Sequence, residues 1–302
     1  MRILMTGATG NVGRLVVDRL VRMGVTVRAL SRDPARAHAH AHARLAEDVE
    51  VVEGDLARPR SMAPALKGVD SMYLFPHAAT APQVVALARE AGVRRIVVLS
   101  SGAVTTGYDT DFHLPVERAV ESSGLEWTHV RPGEFMLNKL WLWGPSIRAE
   151  RIVREPLPDA AWYPVHEQDI ADVATAALIE DGHQGAAYTL NGPELITRRA
   201  QAAAIAAAIG TEIRLEVVTP AQARELYLAQ GGFAADNADF LTGFKDYSGA
   251  DADPSLKQEF DLAMLGPMST AEEITGRPAR TFAEWAHDHA RDFLAGVPSA
   301  GF

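Results

Sequence analysis

Three glycines, Gly7, Gly10 and Gly13, stand directly behind a short apolar stretch in Thr6-Gly7-Ala8-Thr9-Gly10-Asn11-Val12-Gly13. That stretch, residues 2–6, is too brief for a helix and is cut off by glycine, which suits a buried parallel strand. Beyond the glycines, Val12, Leu15, Val16, Leu20 and Met23 recur at steps of three and four before Gly24, so residues 11–23 are predicted helical. A glycine pattern alone is weak evidence, but a strand before it and a helix after it supply the confirming context. Gly7 can make the tight turn, Gly10 lets backbone approach a pyrophosphate, and Gly13 lets helix and strand pack closely. Thr9, Asn11 and Val12 lie at the positive end of that helix, where unpaired N–H groups suit phosphate. The segment therefore predicts a dinucleotide-binding turn.

The rhythm continues with strand-like runs at residues 25–30, 49–52, 71–75, 96–100 and 127–130, and helical patterns at residues 82–91 and 113–123. Strands alternating with helices predict right-handed crossovers and a parallel sheet covered on both faces. After Pro132 the rhythm weakens: residues 167–179 read as a helix, 186–190 as a strand, 197–209 as an alanine-rich helix, 213–218 as a strand, and 281–294 as a closing amphipathic helix. The expected fold is α/β, a Rossmann-type doubly wound parallel sheet over residues 1–132, with a smaller C-terminal α+β substrate lobe over residues 133–302. The chain is free to interleave between the two. The acidic stretch 231–267 reads as a mobile flap or a loosely packed surface segment.

Composition narrows the chemistry. With no cysteine in 302 residues, disulfides, thiol nucleophiles and thiolate zinc sites are excluded. A net charge of −10 argues against a nucleic-acid face, which needs clustered Lys and Arg. No long apolar run or leader-like N-terminus is present, so no membrane association and a cytoplasmic location are expected. His38, His40 and His42 alternate with alanine, but without an intervening carboxylate the patch reads as a solvated connector rather than a metal site.

Cofactor choice is decided after the second strand, where an acidic residue would hold the ribose hydroxyls of NAD. Here Ser31 and Arg32 come first, a hydroxyl and a guanidinium suited to a 2′-phosphate, so NADP(H) is preferred, while Asp33 keeps NAD(H) open. Asp55 and Leu56, after the third strand, either approach the adenine or form a turn or helix cap. Phe75 and Pro76 after the fourth strand and Ser100 after the fifth lie at the carboxyl rim where ligands bind in such sheets.

Together with Arg28-Ala29-Leu30-Ser31-Arg32, Glu53-Gly54-Asp55-Leu56, Ser122 to Thr128, Val130-Arg131-Pro132, Asn191-Gly192-Pro193 and Thr275-Gly276-Arg277-Pro278, the glycine pattern resembles the NmrA-like branch of the atypical short-chain dehydrogenases/reductases. The resemblance covers nearly the whole chain and implies NAD(P)H binding. It also implies reduction of quinones, azo or triphenylmethane dyes or biosynthetic intermediates, or redox sensing without turnover. The Tyr-x-x-x-Lys pair of typical short-chain dehydrogenases is missing: Tyr108 is followed four residues on by Phe112, and Tyr163 by Glu167. In its place His113-Leu114-Pro115-Val116-Glu117 resembles the His-x-x-x-Glu of the dye and quinone reductases. One helical turn separates His113 from Glu117, so the carboxylate is expected to orient a catalytic imidazole; a packing or capping histidine is the alternative. Phe135, Asn138, Trp141 and Tyr163, with Trp143 and Trp162, are expected to line a substrate wall unless they fill the core. The leading reading is hydride transfer from NADPH to a small aromatic or conjugated acceptor, a carbonyl or an imine. An NADP(H)-sensing regulatory protein and a non-redox isomerase, dehydratase or cyclase are the alternatives, and a homodimer is a candidate assembly.

Overall fold

The structure, a computed structural model, describes residues 1–39, 45–46, 49–255 and 270–294. Strands Arg2–Met5 (β1), Thr26–Ser31 (β2), Glu50–Glu53 (β3), Ser71–Leu74 (β4), Arg95–Leu99 (β5) and Glu126–Pro132 (β6) appear in turn. They are followed by Ile152–Glu155 (β7), Ala161–Trp162 (β8), Ala186–Leu190 (β9), Ile196–Thr197 (β10) and Arg214–Val217 (β11). Seven of them form one parallel sheet in the order β3-β2-β1-β4-β5-β6-β9. The chain thus runs outward from β1 to β3, returns, and starts outward again at β4. The gap between the carboxyl ends of β1 and β4 is the switch point at which open α/β sheets bind ligands.

Strand pleating sorts the core. Leu4, Met72, Leu74, Ile96 and Val98 pack with Val84, Val85 and Ala88 of helix Ala81–Glu90 and Val116 and Val120 of helix Leu114–Glu121. Their strand neighbours Ile3, Met5, Tyr73 and Val97 are equally buried and take the opposite face by alternation. There helix Gly13–Arg22 buries Val16, Val17 and Leu20, and helix Glu167–Ile179 buries nearly its whole surface. Arg19 Nε meets Asp172 Oδ1 at 2.5 Å between these two helices.

The chain divides into two compact units. The first comprises Met1–Gly133, Glu167–Leu190 and Thr270–Pro278, and the second Glu134–His166, Asn191–Ser269 and Ala279–Phe302. Helix Glu167–Ile179 and β9, which read from sequence as parts of the later lobe, thus belong to the first unit. β9 is its seventh strand, paired to β6 from Thr128↔Ala186 to Pro132↔Leu190. Within the second unit β10 pairs antiparallel with β8, and β11 parallel with β7. Its core gathers Met136, Trp143, Ile147, Ile205, Phe282, Trp285 and Phe293. The expected helix over residues 281–294 is two pieces, Phe282–Asp288 with a Thr281–Glu284 capping box and a 3₁₀ turn Ala290–Phe293. Both pieces bury aromatics, so the amphipathic pattern does not reveal the break.

His40 and His42 lie outside the described residues, as do residues 256–267 of the acidic stretch. Among the described residues no helix is long and apolar enough to cross a membrane.

Candidate active site

The glycine turn rests on one conformation and one contact that favour glycine, at Gly7 and Gly13. Gly7 has φ +64°, a left-handed conformation, and the Gly10 amide donates to its carbonyl at 2.9 Å. A Cβ on Gly13 would lie 2.1 Å from the Gly7 oxygen, and one on Gly10 would lie 3.2 Å from the same atom. The turn is therefore folded tightly onto the start of helix Gly13–Arg22. Val12 spends its side chain in the core, 3% exposed, and offers backbone alone. Among the described residues no hydrogen bond occupies the amides of Thr9, Asn11 and Val12. Free amides at a helix start, beside a turn drawn tight by its glycines, fit a pyrophosphate.

Thr6 ties this turn to the end of β4. Its buried hydroxyl donates to the Tyr73 carbonyl (3.0 Å) and accepts from the Phe75 amide (2.7 Å). Phe75 then sits across the switch point, its side chain 3.3 Å from where a Gly7 Cβ would be. Next to Pro76, His77 Nδ1 meets the Thr80 hydroxyl at 2.8 Å, and that hydroxyl donates to the Leu56 carbonyl. Loops after β1, β3 and β4 are thereby joined. Sequence spacing gives no sign of these roles of Thr6 and Thr80, because they join positions 24 to 69 residues apart.

At the end of β2 the Ser31 hydroxyl closes a small ring, donating to the Asp33 carbonyl (2.9 Å) and accepting from the Asp33 amide (3.1 Å). Ser31 thus shapes the loop, while Arg32 is exposed. Asp55 takes the turn-capping geometry: Oδ1 accepts from the Ala57 amide and Oδ2 from Arg58 Nε. The Ala57 amide most strongly holds its carboxyl below the ordinary range, with help from Arg58 and the charge of Arg32 and against the opposing effect of burial.

The expected pairing of His113 with Glu117 is not what forms. Glu117 turns inward, where Oε1 accepts from Ser100 Oγ (2.5 Å) and Arg131 Nε (2.9 Å) and Oε2 from Arg131 Nη2 (2.6 Å). Burial works to raise its carboxyl, but Arg131 and Ser100 hold it below the usual range. Ser100, the residue expected at the rim, is 3% exposed and serves this network. His113 pairs instead with Asp109. Oδ1 of Asp109 accepts the amides of Phe112 (3.1 Å) and His113 (3.0 Å), and Oδ2 lies 2.5 Å from His113 Nδ1. Burial pushes the Asp109 carboxyl up, but the His113 ring and the two amides together keep it low. Asp109 precedes the helix on an irregular loop, where helical spacing gives no signal.

In the second unit, Phe135, Asn138, Trp141 and Tyr163 are all half-buried. Phe135 bridges Val165, the Tyr163 carbonyl accepts the Gly192 amide, and Trp141 leans on Phe233 at 5.0 Å. A Cβ on Gly192 would lie 1.9 Å from the Pro164 oxygen, which explains the glycine of Asn191-Gly192-Pro193. Trp143, counted with the wall from sequence, is core at 1% exposure. Lys139 is fully buried, its Nζ 2.7 Å from Glu134 Oε1 and 4.9 Å from the Trp143 ring centre. Burial draws the lysine down, and Glu134 opposes that.

An NAD(P)H-binding family model matches residues 7–181. The chain is 38% identical to a (4-alkanoyl-5-oxo-2,5-dihydrofuran-3-yl)methyl phosphate reductase of Streptomyces griseus, over 96% of this chain and 99% of that one. It is 33% identical to an NAD(P)H azoreductase of Xenophilus azovorans, over 97% and 99%. In structure it resembles the triphenylmethane reductase of a Citrobacter species at TM-score 0.75, 20% identity and 96% and 100% coverage. With a sheet, switch point and glycine turn of the matching kind, the chain belongs to the NAD(P)H-binding family and is an NAD(P)H-dependent reductase.

Proposed function

We propose that the protein reduces a small, planar, electron-poor acceptor with NADPH, and that the preferred acceptor is an alkene conjugated to carbonyl groups. The observation that carries this reading is the Asp109–His113 pair, which stands beyond β5 where a typical relative would carry Tyr-x-x-x-Lys. A site without that tyrosine suits acceptors whose own conjugation takes up the incoming charge. The Streptomyces relative's substrate name describes such an alkene, flanked by a ring carbonyl and an alkanoyl group, and the Xenophilus relative is named for azo compounds.

When bound, the cofactor supplies a hydride. The chain's own residues do the rest. Gly7, Gly10 and Gly13 keep the pyrophosphate path clear, and the amides of Thr9, Asn11 and Val12 receive its charge. Arg32 is the cation for a 2′-phosphate, Asp33 the group that would favour NAD(H). Phe75 and Pro76 border the switch point. His113 gives a proton to the reduced acceptor.

The test is NADPH consumption with purified protein against conjugated lactones and enones, quinones, azo dyes and saturated ketones. Conjugated acceptors are expected to turn over and saturated ketones to fail. NADPH is expected to outperform NADH, and Arg32→Ala to narrow that preference by about tenfold, the worth of one charge-assisted phosphate contact. Binding of NADPH with no consumption on any acceptor would overturn the reading.

A further inference from the structure

We propose that Asp109 is a positioning residue for proton delivery, holding the His113 ring so that the proton leaves from Nε2. This rests on the reductase reading above and concerns how that site is built. Asp109 is 2% exposed and has one oxygen committed to two backbone amides, so its second oxygen is fixed in place against Nδ1 at 2.5 Å. An ionised carboxylate can only accept, so Nδ1 carries a hydrogen in both the charged and the neutral ring. The Phe112 ring meets the imidazole edge-on, centroids 4.7 Å apart, and limits its tilt. Glu117 cannot take over this task, because Arg131 and Ser100 already engage both of its oxygens.

The step balances as follows. Hydride from the bound nicotinamide cofactor, which would be oxidised as its own C–H bond breaks, would form a new C–H bond at the β-carbon of the acceptor, and the displaced electron pair would move onto the carbonyl oxygen as an enolate. His113 then transfers its Nε2 proton to the enolate, leaving a neutral ring protonated at Nδ1, and Asp109 stays a carboxylate throughout. Water restores the proton through the 16% of the His113 side chain that is accessible.

Asp109→Asn gives a sharp test. The two backbone amides keep the amide oxygen of the new side chain, which turns its NH₂ toward Nδ1 and forces that nitrogen to accept. The neutral ring should then carry its hydrogen on Nε2, a change that ¹⁵N NMR of the histidine ring reads on the cofactor-free protein. In turnover, the rate on a conjugated enone, which needs a proton, is compared with the rate on a cationic triphenylmethane dye, which becomes neutral on taking hydride alone. The enone-to-dye ratio is expected to fall by at least about tenfold in Asp109→Asn, and His113→Gln should lower it equally. An Nδ1-protonated ring in the Asn variant, or an unchanged ratio in both variants, would overturn the proposal. If the wild type reduced nothing, the functional reading and proton delivery would fall together, and the NMR result would still decide whether Asp109 sets the ring.

Discussion

Glu117 has a side chain with no solvent contact, and its charge persists there because Arg131 meets it with two parallel N–H donors. Its folded carboxyl lies below the ordinary value of 4.5. A depressed carboxyl contributes stability that is present above that unfolded value and is lost as pH falls through the folded one. Glu117→Gln should therefore cost about 3 kcal/mol at neutral pH, since it strands a partly buried guanidinium. The gap to wild type should narrow below about pH 4.5, and denaturant melts at neutral and acid pH would show it; a gap independent of pH would refute the assignment. The spacing of His113 and Glu117 made both residues visible in the sequence. It did not disclose their partners, because Arg131 arrives from β6 and Asp109 from a loop that no periodicity marks.

At the scale of elements, the parallel strands, the glycine turn and most helices were legible because each writes its own pattern locally. What no local pattern carries is the choice of neighbour. The alternation in Ala186–Leu190 marks a strand but not that it adds to β6, and the aromatic pattern of residues 281–294 marks burial but not the break near His289. The glycines allow a contrast. Gly13→Ala would place a Cβ against the Gly7 carbonyl, a backbone atom that cannot move without undoing the turn. It is expected to abolish NADPH binding, read by fluorescence titration, and to lower Tm. Gly24→Ala faces open space at φ +73° and should cost only about 1 kcal/mol through its backbone, with NADPH binding retained. Equal loss of binding in both would mean that the turn matters only for stability.

For the molecule as a whole, the two units alternate along the chain in three stretches each, an interleaving that the sequence reading left open beside its boundary at residue 132. β6 is one place where this order matters. Its outer edge is closed by β9, whose first residue follows the end of β6 by about fifty positions. A fragment ending at Gly133 would keep six strands but bare that edge, and it is expected to form concentration-dependent oligomers on a sizing column, whereas the full chain keeps the edge paired. Monomeric behaviour of the fragment would show that the edge is shielded otherwise. During synthesis the same edge stands open from the emergence of β6 until β9 leaves the ribosome, roughly 3–10 s at ordinary translation rates. Slow codons in the intervening stretch would lengthen that window and raise the share of newly made chains that pair with one another before they can finish their own sheet.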